Sequence, residues 1–477
     1  MSEKAKYLQV IDEKANIITD VSDKIWEYAE LSLMEFKSCE LYVKVLKEQG
    51  FNVECPVCGI DTAFKATYGS GKPVIGILAE YDALSGLSQE ANSTVRKELV
   101  RGGSGHGCGH NLLGVGAAAA AIALKDLIAQ GKASGTVVFL GCPAEETGSA
   151  KAFLARDGHF DGINAMLTWH PWDYNGIWPG GSLANVKLIF RFKGRSAHAA
   201  SSPHLGRSAL DALELMNVGV QFLREHVPDD TRIHYAITDA GGDSPNVVQG
   251  HAEAVYLVRS QRLQDLEEIK NRVIDCARGA AIMTGTQMDM EFVKGCSNLL
   301  PNVALEEALI DSMKEIGVPS YTEEELALAA SLHDALQAPE TTLEKLARLC
   351  TSADREALLA HQGEGLYTFI APHTPTDAPI FPVSTDVGDA SWCAPTSQVA
   401  CAAWAADTPA HSWQAVSIGR SSIAHKAMLL AAKTIALTGA RLMTDESLLA
   451  RAKAEHQRRT AKTPYRCPVP EGLMPKY

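Results

Sequence analysis

The sequence lacks an excess of positive charge. It contains 44 lysines and arginines against 57 aspartates and glutamates, which gives a formal net charge of −13 at pH 7. Because nucleic acids and anionic membrane surfaces attract basic proteins, this balance argues against both as partners. It leaves open an anionic small molecule, since a few local arginines can bind an anion whatever the global charge.

Long apolar runs and a disulfide pattern are also missing. No run approaches the roughly 20 residues that a membrane span requires, because Lys125 and Asp126 interrupt the alanine-rich stretch at residues 116–127. The polar start of the chain has no apolar segment typical of a signal peptide. The 11 cysteines are scattered and odd in number, unlike a secreted disulfide framework. We therefore expect a cytoplasmic protein.

The first 170 residues show an alternation of helical and strand patterns. Two amphipathic helices are predicted over about residues 5–50. Three short apolar segments of strand length follow, at Val74–Ala79, 136–140 and 165–169, with helical pattern between the last two. This alternation predicts an α/β fold with a mostly parallel sheet covered by helices.

Polar, chemically active side chains follow each of these predicted strands. The first strand runs into Glu80 and Asp82, the second into Glu145 and Glu146, and the third into His170. In open α/β sheets, ligands and catalytic groups lie at the carboxyl ends of the strands. The pattern therefore predicts a functional site at this edge of the sheet.

The pattern changes after about residue 184. Residues 184–297 alternate strands and two helices, which predicts a compact inserted α+β domain. Residues 302–365 are mainly helical, and a later helical pattern at 422–439 is expected to rejoin the first sheet. With a chain of 477 residues, we expect a catalytic domain formed by residues 1–183 and 298–477 and interrupted by the insert.

The segment GHGCGHN, residues 105–111, is the densest group of chemically active side chains. A nucleotide-binding loop would need its glycines directly after a strand, whereas some twenty residues of polar loop separate this segment from the preceding predicted strand. A redox thiol would not need the flanking histidines. Thiolate and imidazole suit zinc or a similar ion, and the glycines allow the turn that lets Cys108 and His110 converge. A glycine-rich structural turn is the plainer alternative, and Asn111 is expected to cap the following helix.

The other candidate ligands also have plainer interpretations. Glu145 and Glu146 are adjacent, so one could bind a metal ion while the other faces a water, but paired acids are more often a solvated turn. His170, which follows an apolar strand, could be a hydrogen-bonded core histidine. The same ambiguity applies to His411, which lies in a loop after another apolar strand. Only their position at strand ends favours a site.

Taken in order, the motifs resemble those of a known family. They are AEYDAL, GHGCGHN, GCPAEETGSAK, TWHP, FKGRSAHAASSPHLGRSALDAL, GGDSPNVVQG, STDVGD and HSW followed by AHKAMLLAAKT. The chain resembles the M20 metallopeptidase superfamily, and within it the M20D amidohydrolase branch, over nearly its whole length. The resemblance implies a zinc-exopeptidase-like catalytic domain, with the insert as a ferredoxin-like lid and dimerisation domain.

The resemblance also implies a centre of two divalent metal ions, zinc or manganese. By this resemblance, Cys108 would take the bridging position that an acidic ligand holds in most of the superfamily. His110 and His170 would hold one ion, and Glu146 with His411 the other. Bound metals lower the pKa of water and polarise a carbonyl, which is the chemistry of amide hydrolysis.

Further roles follow from the resemblance in the same way. Glu145 is implied as the general base, and His198 as an oxyanion-stabilising donor that often acts across a dimer interface. Asn246 and Arg259 are implied substrate contacts, Arg259 for a carboxylate. The superfamily usually has a histidine ligand where this chain has Glu80, so the role of Glu80 stays open, together with the roles of Asp82 and His106.

The expected function is hydrolysis of the amide bond of an N-acyl amino acid, with p-aminobenzoyl-glutamate as the leading substrate. The alternatives are another acyl amino acid or a dipeptide, or a non-catalytic subunit that keeps the fold. A structural zinc protein is disfavoured because its ligands would be close-set rather than dispersed. The resemblance implies a homodimer, or a heterodimer with a homologous subunit, and no nucleic-acid or membrane partner.

Overall fold

Two β-sheets organise the chain in the computed structural model, which describes residues 8–336, 340–377 and 381–476. The strands are β1 (Asn52–Glu54), β2 (Phe64–Ser70), β3 (Val74–Ala79), β4 (Gly135–Gly141), β5 (Ala165–Trp172), β6 (Gly176–Ile177), β7 (Ala184–Lys193), β8 (Arg232–Asp239), β9 (His251–Ser260), β10 (Gln287–Cys296) and β11 (Thr396–Ala402). The helices are α1 (Gln9–Glu13), α2 (Ala15–Tyr28), α3 (Phe36–Glu48), α4 (His110–Ala129), α5 (Ala150–Arg156), α6 (Ala209–Leu223), α7 (Leu263–Thr284), α8 (Val303–Ile316), α9 (Glu323–Asp334), α10 (Thr342–Ala347), α11 (Ser352–Leu359), α12 (Val387–Cys393), α13 (Trp413–Ile418), α14 (Ser422–Thr444) and α15 (Glu446–Thr460).

The larger sheet has seven strands in the order β1-β2-β4-β3-β5-β11-β6. Its centre is parallel, with β3 paired to β4 and β5, and β11 paired to β5. Strands β4 and β11 are buried along their whole length, as expected for parallel strands covered on both faces. Ala79 of β3 pairs with Gly141 of β4, and His170 of β5 pairs with Ala400 of β11. The carboxyl ends of the central strands therefore lie at one edge.

Helices α4 and α14 pack on this sheet and on each other. Both are long and apolar enough to cross a membrane by length and composition alone, but 78% of the apolar window of each is buried within the protein. A core helix passes the same test, so this is weak support for a membrane span. The expectation that no run reaches span length was nevertheless wrong, because α4 extends from residue 110 through the alanine-rich stretch.

The smaller sheet is antiparallel, in the order β10-β7-β9-β8. Strands and helices follow each other as β7-α6-β8-β9-α7-β10, which is the ferredoxin-like order. One face packs on α6 and α7 through alternating apolar residues such as Leu188, Phe190, Tyr256 and Val258. The other face carries the alternate residues of the same strands, such as Lys187 and Leu257, and it borders the cleft described below.

The three strands predicted near the start are confirmed, with small extensions at their ends. The predicted pair of helices over residues 5–50 is three helices, because the first breaks at Lys14, and residues 5–7 lie outside the described residues. The expected cap at Asn111 is wrong. Helix α4 begins one residue earlier, at His110, and the Asn111 amide instead donates to Ser22 and to the carbonyl of Gly419.

Candidate metal centre

The loop before α4 carries Cys108 and His110. Gly109 has a φ of 72°, in the left-handed region that glycine adopts without strain, and a Cβ there would lie 2.9 Å from a side chain of β5. The carbonyl of Gly107 accepts a hydrogen bond of 2.9 Å from the backbone N–H of His411. The glycines thus let this loop pack against β5 and against the loop after β11.

Both ring nitrogens of His110 face acids. Nδ1 lies 2.9 Å from Oδ1 of Asp82, and Nε2 lies 3.2 Å from Oε2 of Glu80. Burial acts to raise the pKa of Asp82, but the hydrogen bond and charge of His110 outweigh it and bring the pKa down to about 2. The carboxylate of Asp82 is therefore ionised, and it orients the ring so that Nε2 points into the site.

His170, near the end of β5, presents its Nε2 atom to Cys108. Its Nδ1 lies 2.7 Å from the carbonyl oxygen of Pro171, so Nδ1 carries the hydrogen and Nε2 the free lone pair. The Nε2 atom lies 3.6 Å from Sγ of Cys108. Burial, together with the charge of His110, lowers the pKa of His170 to about 4. The ring is neutral at pH 7, which is the form that binds a metal ion.

The turn after β4 aims Glu146 at His411. The backbone N–H of Glu146 donates to Oδ2 of Asp82 at 3.0 Å, and its Oε1 lies 3.2 Å from Nε2 of His411. Ala144 and His411 have φ values of 56° and 61°, which are unusual for residues other than glycine. Such conformations concentrate at functional sites.

Glu145 is buried beside the same group. Burial and the negative charges of Glu80 and Glu146 raise its pKa well above the ordinary range. A carboxylate with a raised pKa holds a proton more tightly than an exposed one. This property suits a group that accepts a proton from water and later donates it.

Three groups of side chains place their ligand atoms within 4.8 Å of one another: Cys108, His110 and His170; Cys108, Glu146 and His411; and Glu80, His110 and Glu145. Cys108 belongs to the first two groups. All six residues that sequence analysis proposed as metal ligands or general base, namely Cys108, His110, Glu145, Glu146, His170 and His411, are therefore brought together.

These residues fit a divalent cation. Among the described residues, Nε2 of His110 and Oε1 of Glu146 are buried without a partner in hydrogen-bonding geometry. Burial and the charge of Glu146 raise the pKa of the Cys108 thiol well above its ordinary value, so a thiolate at this position requires a cation nearby. Thiolate, imidazole and carboxylate together are a donor set typical of zinc-like ions.

A buried ion cluster, which sequence analysis did not identify, positions Glu80 beside the candidate ligands. Nζ of Lys151 lies 2.6 Å from Oε1 of Glu80 and 2.5 Å from Oδ1 of Asp386, and all three residues are buried. Lys151 holds Glu80 so that its other oxygen faces His110. His106 lies outside the three groups, and its Nε2 is 3.0 Å from the carbonyl oxygen of Ile25.

The site opens into a cleft of about 1110 Å³ between the two sheets. Trp172 and Trp178 form part of its wall, with ring centroids 5.0 Å apart. Trp172 follows His170 by two residues on β5, so strand alternation could have identified it. Arg259 also lines the cleft, and its Nη1 donates to Oγ of Ser384 at 3.0 Å.

His198 and Asn246 lie elsewhere. Both are exposed and neither lines this cleft within the one chain. They are close to each other, because the backbone N–H of Ala199 donates to the Asn246 carbonyl at 2.9 Å. Nδ1 of His198 accepts from the backbone N–H groups of Ala200 and Ser201.

Comparison with known proteins assigns the chain to a family. Residues 76–350 match the model of peptidase family M20/M25/M40. The chain is 46% identical over 459 residues to the B-type subunit of p-aminobenzoyl-glutamate hydrolase of Escherichia coli K12, covering 96% of this chain and 95% of that protein. It is 29% identical to the Xaa-Arg dipeptidase of Mus musculus, over 67% of this chain and 73% of that protein.

Solved structures share the fold. A dinuclear metal-binding peptidase of the M20 family from Bacillus subtilis aligns with a TM-score of 0.56 and 16% identity, over 91% of this chain and 99% of that one. An aminobenzoyl-glutamate utilization protein from Klebsiella pneumoniae gives a TM-score of 0.54 and 16% identity, over 89% and 98%. At this identity the likeness concerns the fold alone.

The chain belongs to peptidase family M20/M25/M40, and it is a metal-dependent hydrolase that acts on an amide C–N bond. The resemblance inferred from the motifs, including the M20D branch, is confirmed by the model match and by the 46% identity. The expected fold, an α/β sheet with a second α+β unit, is confirmed as well.

Proposed function

We propose that the protein hydrolyses p-aminobenzoyl-glutamate to p-aminobenzoate and glutamate. The observation that carries the proposal is the convergence of a shared thiol, three imidazoles and two carboxylates at the floor of a cleft whose walls are aromatic and basic. The identity to a relative that bears this activity in its name supports the substrate. The reaction would belong to folate catabolism, since the substrate is a fragment of folate.

The ligand assignment is part of the proposal. His110 and His170 would hold one divalent ion, Glu146 and His411 a second, and Cys108 would lie between them. Bound zinc or manganese would supply Lewis-acid polarisation of the scissile carbonyl and a lowered pKa for water. The neutral ring of His170 and the fixed orientation of His110 support this assignment.

The protein's own residues would carry the proton transfers. Glu145 would take the proton from the attacking water and deliver it to the amine of the departing glutamate. Its raised pKa supports this role, because the carboxyl then holds the proton between the two steps. His198 would stabilise the oxyanion from a neighbouring subunit, which is consistent with its exposure outside the cleft of its own chain.

The cleft walls support an aryl acyl group and an acidic amino acid. Trp172 and Trp178 offer a ring surface for the aminobenzoyl group. Arg259 would bind a carboxylate of the glutamate, with Asn246 as a further substrate contact from the neighbouring subunit. Basic residues on this wall disfavour a basic amino acid, such as the one named for the Xaa-Arg dipeptidases.

We further propose a cytoplasmic dimer, either of two copies or with a homologous protein. The relatives include two differently named subunits of p-aminobenzoyl-glutamate hydrolase, one from Escherichia coli and a homolog of the other from Haemophilus influenzae, which supports a two-subunit enzyme. The domain division at residues 184–297, with the insert as lid and dimerisation domain, is consistent with the position of the smaller sheet across the cleft.

The test is glutamate release from p-aminobenzoyl-glutamate by metal-reconstituted protein, with metal content measured on every sample. Glu145→Gln should lower kcat by about 10²–10⁴-fold while it retains the metal. Glu324→Gln, an exposed helical position, is the control. No turnover by a metal-filled wild type, alone and with a homologous partner, would reject this substrate.

A further inference from the structure

The cleft wall that faces the metal centre is basic although the protein is acidic. Lys187 lies on β7, Arg232 on β8, Arg259 on β9 and Lys294 on β10, and all four line the cleft. None of them forms an ion pair with any residue in the described part of the chain. Asp230, the acid on this wall, is not paired with them either. Unpaired cations gathered on one wall indicate an anionic ligand.

Two of these cations are direct cross-strand neighbours. Arg232 of β8 pairs in register with Arg259 of β9, and Arg259 pairs on its other side with Asn185 of β7. Residues in such a relation point to the same face with Cβ atoms about 4.5–5.5 Å apart, and like charges there repel. A carboxylate bound between or beside the two guanidinium groups removes this repulsion.

The two arginines lie at different distances across the sheet from β10, the strand next to the candidate metal centre. Nζ of Lys294 donates to the carbonyl of Glu146 at 2.8 Å, so β10 is the strand that touches the centre. With strands about 4.8 Å apart, Arg259 lies roughly 10 Å and Arg232 roughly 14 Å across the sheet from β10. The inner guanidinium is held by Ser384, whereas Arg232 is exposed.

Arg232 is also oriented for recognition. Its Nη1 donates to the backbone carbonyls of Asp229 and Thr231, both at 2.8 Å. These bonds position one end of the planar guanidinium without neutralising its charge. A guanidinium held in this way can bind a carboxylate through two parallel hydrogen bonds.

We propose that Arg232 binds the side-chain carboxylate of an acidic acyl amino acid, whose α-carboxylate is bound by Arg259. Arg232 is then the residue that distinguishes glutamate from glutamine as the amino acid released. The inference rests on the proposed function, because it concerns the same cleft and the same class of substrate. It adds the residue that selects a dianionic substrate over a monoanionic one.

Binding in an inactive background tests this assignment. In metal-loaded Glu145→Gln protein, calorimetry would compare p-aminobenzoyl-glutamate with p-aminobenzoyl-glutamine. We expect the glutamate compound to bind about 10–100-fold more tightly, as a charge-assisted hydrogen bond predicts. Adding Arg232→Gln should bring the two affinities within about 3-fold, and adding Arg232→Lys should restore part of the difference. Arg278→Gln, on the outer helix α7, is the matched control and should change neither affinity.

A preference for glutamate that survives Arg232→Gln would overturn the inference, as would equal binding of the two compounds or binding of neither. Hydrolysis by protein with an intact Glu145 is measured separately. Hydrolysis without an Arg232-dependent preference would reject the inference and leave the proposed function standing. An Arg232-dependent preference without hydrolysis would reject the proposed function and keep the assignment of Arg232.

Discussion

The Nδ1 atom of His110 lies 2.9 Å from Oδ1 of Asp82 and 3.2 Å from its backbone carbonyl oxygen, and these contacts orient the ring so that Nε2 faces the candidate metal centre. The other oxygen of Asp82 accepts from Ser32 and from the backbone N–H of Glu146. One carboxylate therefore orients a candidate ligand and at the same time fixes the turn that carries another.

Asp82→Asn should shift His110 towards its other tautomer, with the ring in the same orientation. The amide oxygen would turn to its two donors, leaving the NH₂ group against Nδ1. Nδ1 would then accept, and Nε2 would carry the hydrogen and lose its lone pair. We expect metal affinity to fall about 10–100-fold in a competitive chelator titration. Asp20→Asn, exposed on α2, is the control, and an unchanged affinity in Asp82→Asn would contradict the role assigned to this contact.

Lys151→Met should destabilise the protein strongly. It leaves the carboxylates of Glu80 and Asp386 buried without their shared cation, and breaking a buried pair in this way costs about 3–5 kcal/mol. Urea denaturation measures the loss, with the exposed Lys24→Met as control. Adding Asp386→Asn should recover part of it, because one fewer charge is unpaired. A loss below about 1 kcal/mol would show that the cluster is not a stabilising element.

Glu35 should make stability depend on pH. Burial, with the charge of Asp82, raises its pKa from 4.5 to about 8. The folded protein holds this proton more tightly than the unfolded chain, so the contribution is complete below about pH 4.5 and is lost as the pH rises through 8. Between pH 5 and pH 9, the free energy of unfolding should therefore fall by about 2–4 kcal/mol less in Glu35→Gln than in wild type. Metal-free urea denaturation at both pH values checks this, and Glu40→Gln, exposed on the helix that follows Glu35, should behave as wild type.

Trp172→Leu should weaken the preference for an aryl acyl group. The ratio of kcat/KM for p-aminobenzoyl-glutamate to that for acetyl-glutamate is expected to fall about 10-fold, the size of a typical aromatic contact. Phe222→Leu, exposed on α6 away from the cleft, serves as the comparison. An unchanged ratio would place the aryl group elsewhere in the cleft.

The parallel centre of the large sheet could be predicted because buried parallel strands are short apolar runs, and the residues that follow them share an edge. The antiparallel strands β1 and β2 could not, since Asn52–Glu54 and Phe64–Ser70 are mostly half-exposed and obtain their structure from pairing at the edge of β4.

The candidate ligands could be predicted from motifs, but the ion cluster beside them and the pair of arginines on the cleft wall could not. Lys151 and Asp386 are 235 residues apart and meet only in the folded chain. Arg232 and Arg259 lie on separate strands, and only the register of β8 against β9 makes them neighbours. Lys151 ends the motif GCPAEETGSAK and Asp386 lies within STDVGD, but neither motif shows that the two residues meet. The arginines are likewise unmarked as a pair, because the periodicity of a strand does not specify which strand lies beside it.

In the proposed centre, Cys108 is shared by two metal ions, each held by its own pair of ligands. The most direct measurement is the metal content of reconstituted wild type, His411→Ala and Cys108→Ala by mass spectrometry. We expect two ions per chain in wild type, one in His411→Ala, and loss at both positions in Cys108→Ala. A single ion in wild type, or full retention of both ions in Cys108→Ala, would contradict it.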